Sequence, residues 1–120
     1  MRVPALGAVL ALATLSSAVA EELPQSYQDA IHELRTASDP TARALAAIGL
    51  GHGFRGVQAT SDPRVGEALQ EASSLDPDPT VRTLAAYGLC ARGDRRGVTR
   101  VVATLRERET QGADPRGVYS

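Results

Sequence analysis

The 120-residue sequence contains no lysine, no asparagine and no tryptophan. Without lysine there is neither a Schiff-base amine nor the lysine of a phosphate-binding loop, and without asparagine there is no N-glycosylation acceptor. All 13 basic residues are arginines, and they face 14 acidic residues, which gives a net charge of −1. That balance leaves no chain-wide basic surface, so we expect no nucleic-acid partner. The length predicts one small domain.

Cysteine is almost as scarce, because Cys90 is the only one. One thiol cannot form a disulfide within its own chain, so the fold has to be stabilised by packing. The position of Cys90, directly after an apolar stripe, predicts a small, half-buried side chain. The alternative is an exposed thiol that pairs with another chain or holds a ligand.

The first twenty residues have the pattern of a signal peptide. A positive start at Arg2 is followed by an uncharged apolar stretch over residues 3–15 and by small residues ending at Ala20. We expect residues 1–20 to be removed and the product to be periplasmic or secreted, with no stable membrane span. An uncleaved anchor is the alternative, because residues 3–20 carry no charge. Only one arginine precedes Ala20, so the remaining 12 arginines and 14 acidic residues give a charge of −2 (12 − 14).

An internal repeat organises the remainder. Residues 39–50 align with residues 78–89 at an offset of 39 and are identical at nine of twelve positions. Each copy opens with an Asp-Pro pair, in which the aspartate is a good N-cap and the proline suits the first helical position. Each copy predicts a helix that ends in a glycine turn. Apolar residues at helical spacing predict the buried stripes Ala42, Leu45, Ala46, Gly49 and Leu50 in the first copy and Val81, Leu84, Ala85, Gly88 and Leu89 in the second.

Partner helices with the same spacing surround the two repeat helices. Their predicted buried stripes are Tyr27, Ala30, Ile31 and Leu34; Val65, Ala68, Leu69 and Ala72; and Val98, Val101, Val102 and Leu105. Short Asp-, Pro-, Gly- and Ser-rich segments join the helices. The sequence therefore predicts an all-α fold of five helices: partner, repeat, partner, repeat, partner.

The pattern Asp-Pro-Thr-Val-Arg-x-Leu-Ala-Ala-x-Gly-Leu, followed by a Gly-Asp turn and a Val-rich helix, resembles the HEAT repeat family. The likeness is to the short bacterial type that also occurs in phycobilisome lyases, and it covers residues 27–108. It implies a short α-solenoid of about two and a half HEAT-like helical hairpins that binds other proteins. We expect a linker at 21–26, the repeat domain at 27–109 and a tail at 110–120. The 51–61 connection is longer than the 93–94 turn, and the first pair lacks its leading helix unless residues 21–25 supply it.

The resemblance also assigns the repeat motif a structural role. In such repeats an aspartate and an arginine near the start of the repeat helix form a ladder between neighbouring units. Gly49 and Gly88 lie on apolar stripes inside helices, which predicts a close approach of two helices there. The ladder is expected at Asp39, Pro40 and Arg43 and, in the second copy, at Asp78, Pro79 and Arg82.

No catalytic motif is present, so we expect no enzyme, no cofactor and no bound metal. The best polar cluster is Asp29, His32 and Glu33, which share one helix face and are interpreted as ordinary solvated surface. His52 is expected in a loop. The alternative function is a ligand-handling or lyase-like accessory role that uses Cys90 or this cluster.

The polar faces of the partner helices run from acidic to basic, which predicts a docking surface for a protein partner or for a second copy. Ordinary surface charge is the alternative, because mixed signs are normal on soluble helices. Its residues are Asp29, Glu33, Glu67, Gln70, Glu71, Arg96, Arg100 and Glu107. The resemblance places these helices on the concave side of the stack. Residues 112–118 look like the opening of a further unit, so the tail is expected to be a degenerate cap or the sign of an array completed by a partner. Overall, the sequence predicts an exported, non-catalytic protein-binding or scaffold module.

Overall fold

The computed structural model describes residues 22–111; the predicted signal peptide and residues 112–120 of the tail lie outside this range. Within it the chain forms five α-helices and no strand, so the predicted all-α class and the order of five helices are confirmed. None of these helices is long and apolar enough to cross a membrane. Leu23, inside the expected linker, is buried in the core. The helices are α1 (Gln25–Thr36), α2 (Pro40–His52), α3 (Pro63–Leu75), α4 (Pro79–Ala91) and α5 (Arg95–Gln111).

The Asp-Pro pairs start the repeat helices as predicted. The Asp39 carboxylate accepts a hydrogen bond from the Thr41 backbone N–H at 3.0 Å. The Asp78 carboxylate accepts from the backbone N–H groups of Thr80 and Val81 at 2.8 and 3.1 Å. These bonds satisfy donors that the first turn of a helix leaves unpaired.

A second kind of cap starts α3 and α5. Asp62 and Asp94 each accept the backbone N–H of the arginine two residues later, Arg64 and Arg96. The same arginine side chains also reach the carboxylates, with Nη2–Oδ2 distances of 2.8 and 2.7 Å. These side-chain and backbone hydrogen bonds lower the pKa of both carboxyl groups. The charged form of each aspartate is therefore part of the folded state.

The lowered pKa values predict a loss of stability in acid. A carboxyl group whose pKa is lower in the folded than in the unfolded chain stabilises the fold above its unfolded pKa, near pH 4. That contribution is lost as the pH falls below about 4 towards the folded pKa. Urea unfolding at pH 7, 5 and 3 should show a smaller drop between pH 5 and 3 in the Asp62→Asn/Asp94→Asn variant than in the wild type. Equal drops in the two proteins would contradict the assignment.

The helices form two layers that differ in how closely their members pack. α2 and α4 lie against each other along their lengths, whereas α1 meets α3, and α3 meets α5, over only a few residues. We call the closely packed pair α2 and α4 the inner layer, and α1, α3 and α5 the outer layer.

Small residues allow the close approach of α2 to α4. A Cβ atom placed on Gly51 of α2 would collide with the Cα atom of Gly88 in α4. A Cβ on Gly88 would lie 3.2 Å from the Ala47 carbonyl oxygen, so the close helix approach predicted at Gly88 is confirmed. Gly49 serves a different purpose from the one expected, because the space beside it holds the ring of Phe54. The connection after α2 thus packs the Phe54 side chain against the core.

That connection is tied to the fold by three contacts. Phe54 packs edge-on against the buried Tyr27 ring of α1, with ring centroids 5.1 Å apart. Val57 is half-buried against the same core. The Arg92 guanidinium, after α4, donates to the Thr60 carbonyl oxygen at 2.9 Å. The long 51–61 connection is therefore anchored at both layers.

The stripe predictions succeed for α1, α3 and α4, whose predicted residues are all buried or half-buried, and fail in part for α2 and α5. All four predicted residues of α3 are buried, and those of α1 are buried or half-buried. In α2 the prediction that Leu45 is buried is wrong, because Leu45 is 64% exposed, whereas Ala47 is fully buried. The reason is that α2 turns its smallest side chains towards α4, and this rotates Leu45 out of the interface.

The predicted stripe of α5 is also largely wrong. Val98 and Leu105 are 57% and 54% exposed, Val102 is also exposed, and Val101 is half-buried. α5 instead packs on α4 through Gly97, where a Cβ would lie 2.6 Å from the Cys90 backbone nitrogen. No further helix among residues 22–111 covers the other side of α5, so its apolar residues face outwards.

Candidate functional site

An ion pair links the two repeats. Arg43 of α2 donates to Asp76 from Nε at 2.9 Å and from Nη2 at 3.2 Å, and its Nη1 donates to the Ala37 carbonyl oxygen at 2.8 Å. The side chains of Arg43 and Asp76 are only 12% and 6% exposed. Asp76 also accepts the Asp78 backbone N–H at 2.9 Å. The ladder expected at Arg43 therefore uses Asp76 rather than Asp78, which caps α4.

Much of the predicted charged docking surface is paired within the chain. Arg35 of α1 reaches Glu71 of α3 at 3.2 Å, and Arg96 of α5 reaches Glu67 of α3 at 3.7 Å. Asp29 accepts a hydrogen bond from Gln25 at 2.7 Å, and Glu33 is exposed. These exposed ion pairs bridge neighbouring helices of the outer layer and are each worth less than about 1 kcal/mol.

The remaining predicted residues have different surroundings. Gln70 is half-buried, and its Oε1 atom is buried without a hydrogen-bond donor among residues 22–111. Arg100 donates to the Ser74 hydroxyl at 3.1 Å. Arg100 and Glu107 line a cavity at the α3–α4–α5 end of the molecule.

The other candidate residues are isolated. Within residues 22–111 no three His, Cys, Asp or Glu side chains are grouped closely enough to hold a metal ion, and Asp29, His32 and Glu33 are no exception. His52 is the last residue of α2 and is exposed. Cys90 is exposed, so the half-buried position predicted for it is wrong. The structure places it near the end of α4, in the repeat position that Gly51 occupies in α2.

An exposed apolar surface that was not predicted from the sequence lies on the outward side of α2 and α4. Leu45 and Ile48 are 64% and 38% exposed, and Tyr87 is 45% exposed. Leu84 is half-buried between them. We call these four residues the inner face. The repeat offset of 39 pairs Leu45 with Leu84 and Ile48 with Tyr87, so the same two helical positions are apolar and accessible in both units.

The inner face is also nearly free of charge. α2 and α4 contain no Asp or Glu and one arginine each. Arg43 is held by Asp76, which together with the neighbouring carboxylates raises the pKa of that guanidinium. Exposed apolar side chains with few charges beside them are typical of protein contact surfaces. The sequence contains a signal for this face, because both repeat helices carry large apolar residues at the same two positions, Leu45 and Ile48 in α2 and Leu84 and Tyr87 in α4.

Comparison with protein-family models, with curated proteins and with solved structures found no match.

Proposed function

We propose that the chain is an exported, non-catalytic HEAT-like repeat protein that binds another protein through the inner face. The HEAT-type assignment is supported by the 39-residue repeat, the two-layer helix arrangement and the Arg43–Asp76 ladder between units. Export is supported by the signal-peptide pattern of residues 1–20. A scaffold role is supported by the helical hairpins themselves, which stack into binding surfaces in repeat proteins.

The inner face carries the binding proposal. Leu45 and Ile48 lie on α2, and their equivalents Leu84 and Tyr87 lie on α4. The axes of two packed helices are about 10 Å or less apart. An α-helix that crosses them presents matching side chains at i and i+7, because seven residues rise about 10.5 Å. The absence of acidic residues on α2 and α4 favours an apolar helix face. The proposed occupant is an amphipathic helix of a partner protein.

The test compares surface variants in affinity purification from the native envelope or culture fluid. Leu45→Glu and Tyr87→Glu each place a charge on the inner face without disturbing a buried side chain. Each is expected to reduce the recovery of a stoichiometric partner by about tenfold or more, since a desolvated charge at an interface centre costs over 1.4 kcal/mol. Circular dichroism should show unchanged helix content.

The matched control is Leu75→Glu, which introduces the same charge at an exposed leucine of the outer layer and should leave recovery unchanged. Loss of the partner with Arg96→Glu instead of the inner-face variants would transfer the binding site to the charged outer layer. Recovery of the chain's own second copy would identify self-association. Recovery of only a metal or small molecule, lost on alkylation of Cys90, would support the ligand-handling alternative.

A further inference from the structure

Arg82, at the end of the ladder, lacks the carboxylate partner that Arg43 has. Arg82 is the repeat equivalent of Arg43, and its Nη1 donates to the Asp76 carbonyl oxygen at 2.7 Å, as Arg43 Nη1 does to the Ala37 carbonyl. Arg43 then directs Nε and Nη2 to the Asp76 carboxylate. Arg82 forms no ion pair with any carboxylate among residues 22–111.

A cavity of about 280 Å³ opens beside Arg82. Arg100 and Arg108 of α5 line it together with Arg82, and neither of them is paired with a carboxylate within the described range either. Glu107 is the single acidic residue in the lining, so the three guanidinium groups leave an excess of positive charge. The hydroxyl groups of Ser74 and Thr104 complete a lining rich in hydrogen-bonding groups.

We propose that this cavity binds the carboxylate of an acidic side chain, as the next rung of the ladder. The planar fork of an arginine matches two carboxylate oxygens, and the first repeat shows this pairing at Arg43. The Arg82 backbone anchor orients its guanidinium in the same way before any ligand arrives. A carboxylate also offsets the repulsion among the three cations, of which Arg82 and Arg100 are half-buried. No lining residue belongs to the inner face, although Arg108 also lines a small pocket with Tyr87, and the proposal does not depend on the function proposed for that face.

The carboxylate has two possible sources, which the chemistry does not separate. One is an acidic residue of another polypeptide. The other is Asp114 of the same chain, whose Asp114-Pro115 pair repeats Asp76-Pro77 at an offset of 38. Residue 114 lies outside the described range, so the assignment has to come from experiment.

The experiment follows the Nε–Hε resonances of Arg82 and Arg100 by NMR in the purified protein and in its Asp114→Asn variant. Each is titrated with N-acetyl-aspartate α-N-methylamide, whose only charge is the side-chain carboxylate, at constant ionic strength, with the neutral N-acetyl-asparagine N-methylamide as the reference. If an external polypeptide supplies the carboxylate, both proteins show the same saturable shift. If Asp114 supplies it, only the variant binds the probe, and in the wild type the Arg82 resonance moves as Asp114 is protonated in acid.

Variants locate the binding groups. In the protein that binds the probe, Arg82→Gln and, as a second variant, Arg108→Gln should each weaken binding by about tenfold, the loss expected for one charged hydrogen-bond pair. Arg106→Gln removes the same charge from α5 at a position that does not line the cavity and should change affinity less than about twofold. No saturable shift in either the wild type or Asp114→Asn would overturn the proposal. Equal weakening by Arg106→Gln would reduce it to a general charge effect and would also overturn it.

Discussion

Replacing Asp76 by alanine is expected to lower the free energy of unfolding by about 3 kcal/mol, which is the lower end for removing one partner of a buried ion pair. The Arg43 guanidinium would lose two hydrogen bonds and keep its charge, although its side chain is only 12% exposed. The Asp78 backbone N–H would also lose its acceptor. Urea unfolding at pH 7 measures the change. A single domain is stable by only about 5–15 kcal/mol, so the loss should be large.

Two controls separate the pair from a general loss of charge. Asp29→Ala removes an exposed carboxylate and should change stability by less than about 0.5 kcal/mol. Arg43→Ala/Asp76→Ala should be less destabilised than the sum of the two single variants, because no charge is then left unpaired. An Asp76→Ala variant within 0.5 kcal/mol of the wild type would show that the ladder contributes little.

The helix order was predictable because the start signals act locally. Asp39 and Asp78 bond to backbone groups within three residues, and the prolines after them fit the first turn whatever lies further away. The stripes of α1 and α3 were predictable for a related reason, since each has one apolar face and a largely polar remainder. Periodicity then identifies a single buried side.

The orientation of α2 was not predictable from periodicity. Its residues are small or apolar around most of the circumference, so several faces satisfy a helical pattern. The choice is made by backbone contact at Gly51 and Gly88, which favours alanine in the interface and turns Leu45 outwards. Nothing within α2 alone specifies that a helix 39 residues later approaches so closely.

The pairing of charges in the candidate site was also not predictable from single helices. Charges on separate helices were grouped by their positions along each helix, but their pairing depends on the distance between helices. Arg35 and Glu71 are long enough to span the gap between α1 and α3, and this turns part of the expected docking surface into an internal bridge. Conversely, Asp76 lies just outside the aligned segments 39–50 and 78–89, so the repeat pattern does not point to it, although it is the residue that joins the repeats.

Gly51→Ala is expected to destabilise the protein by about 2 kcal/mol, within the range for overpacking a close contact. The new Cβ atom would overlap the Gly88 Cα atom and lie 3.0 Å from the carbonyl carbon and oxygen of Gly88. These are backbone atoms of α4, so relief requires α2 and α4 to separate. That separation loosens the whole inner layer. Urea unfolding gives the magnitude, and a lower Tm should accompany it.

Gly66→Ala in α3 is the matched control for the same chemical change. Its Cβ would meet the Arg96 Nη2 atom at 3.1 Å and the Asp94 Oδ2 atom at 3.4 Å, both of which belong to side chains that can move. Alanine is favoured over glycine inside a helix by about 1 kcal/mol, so this variant should be as stable as the wild type or more stable. A lower free energy of unfolding for Gly51→Ala, together with an unchanged or higher one for Gly66→Ala, would establish that backbone contact between α2 and α4 sets the spacing of the inner face. Similar values for both would mean that α2 and α4 adjust freely, and the spacing of Leu45 and Leu84 would then not be fixed by the fold.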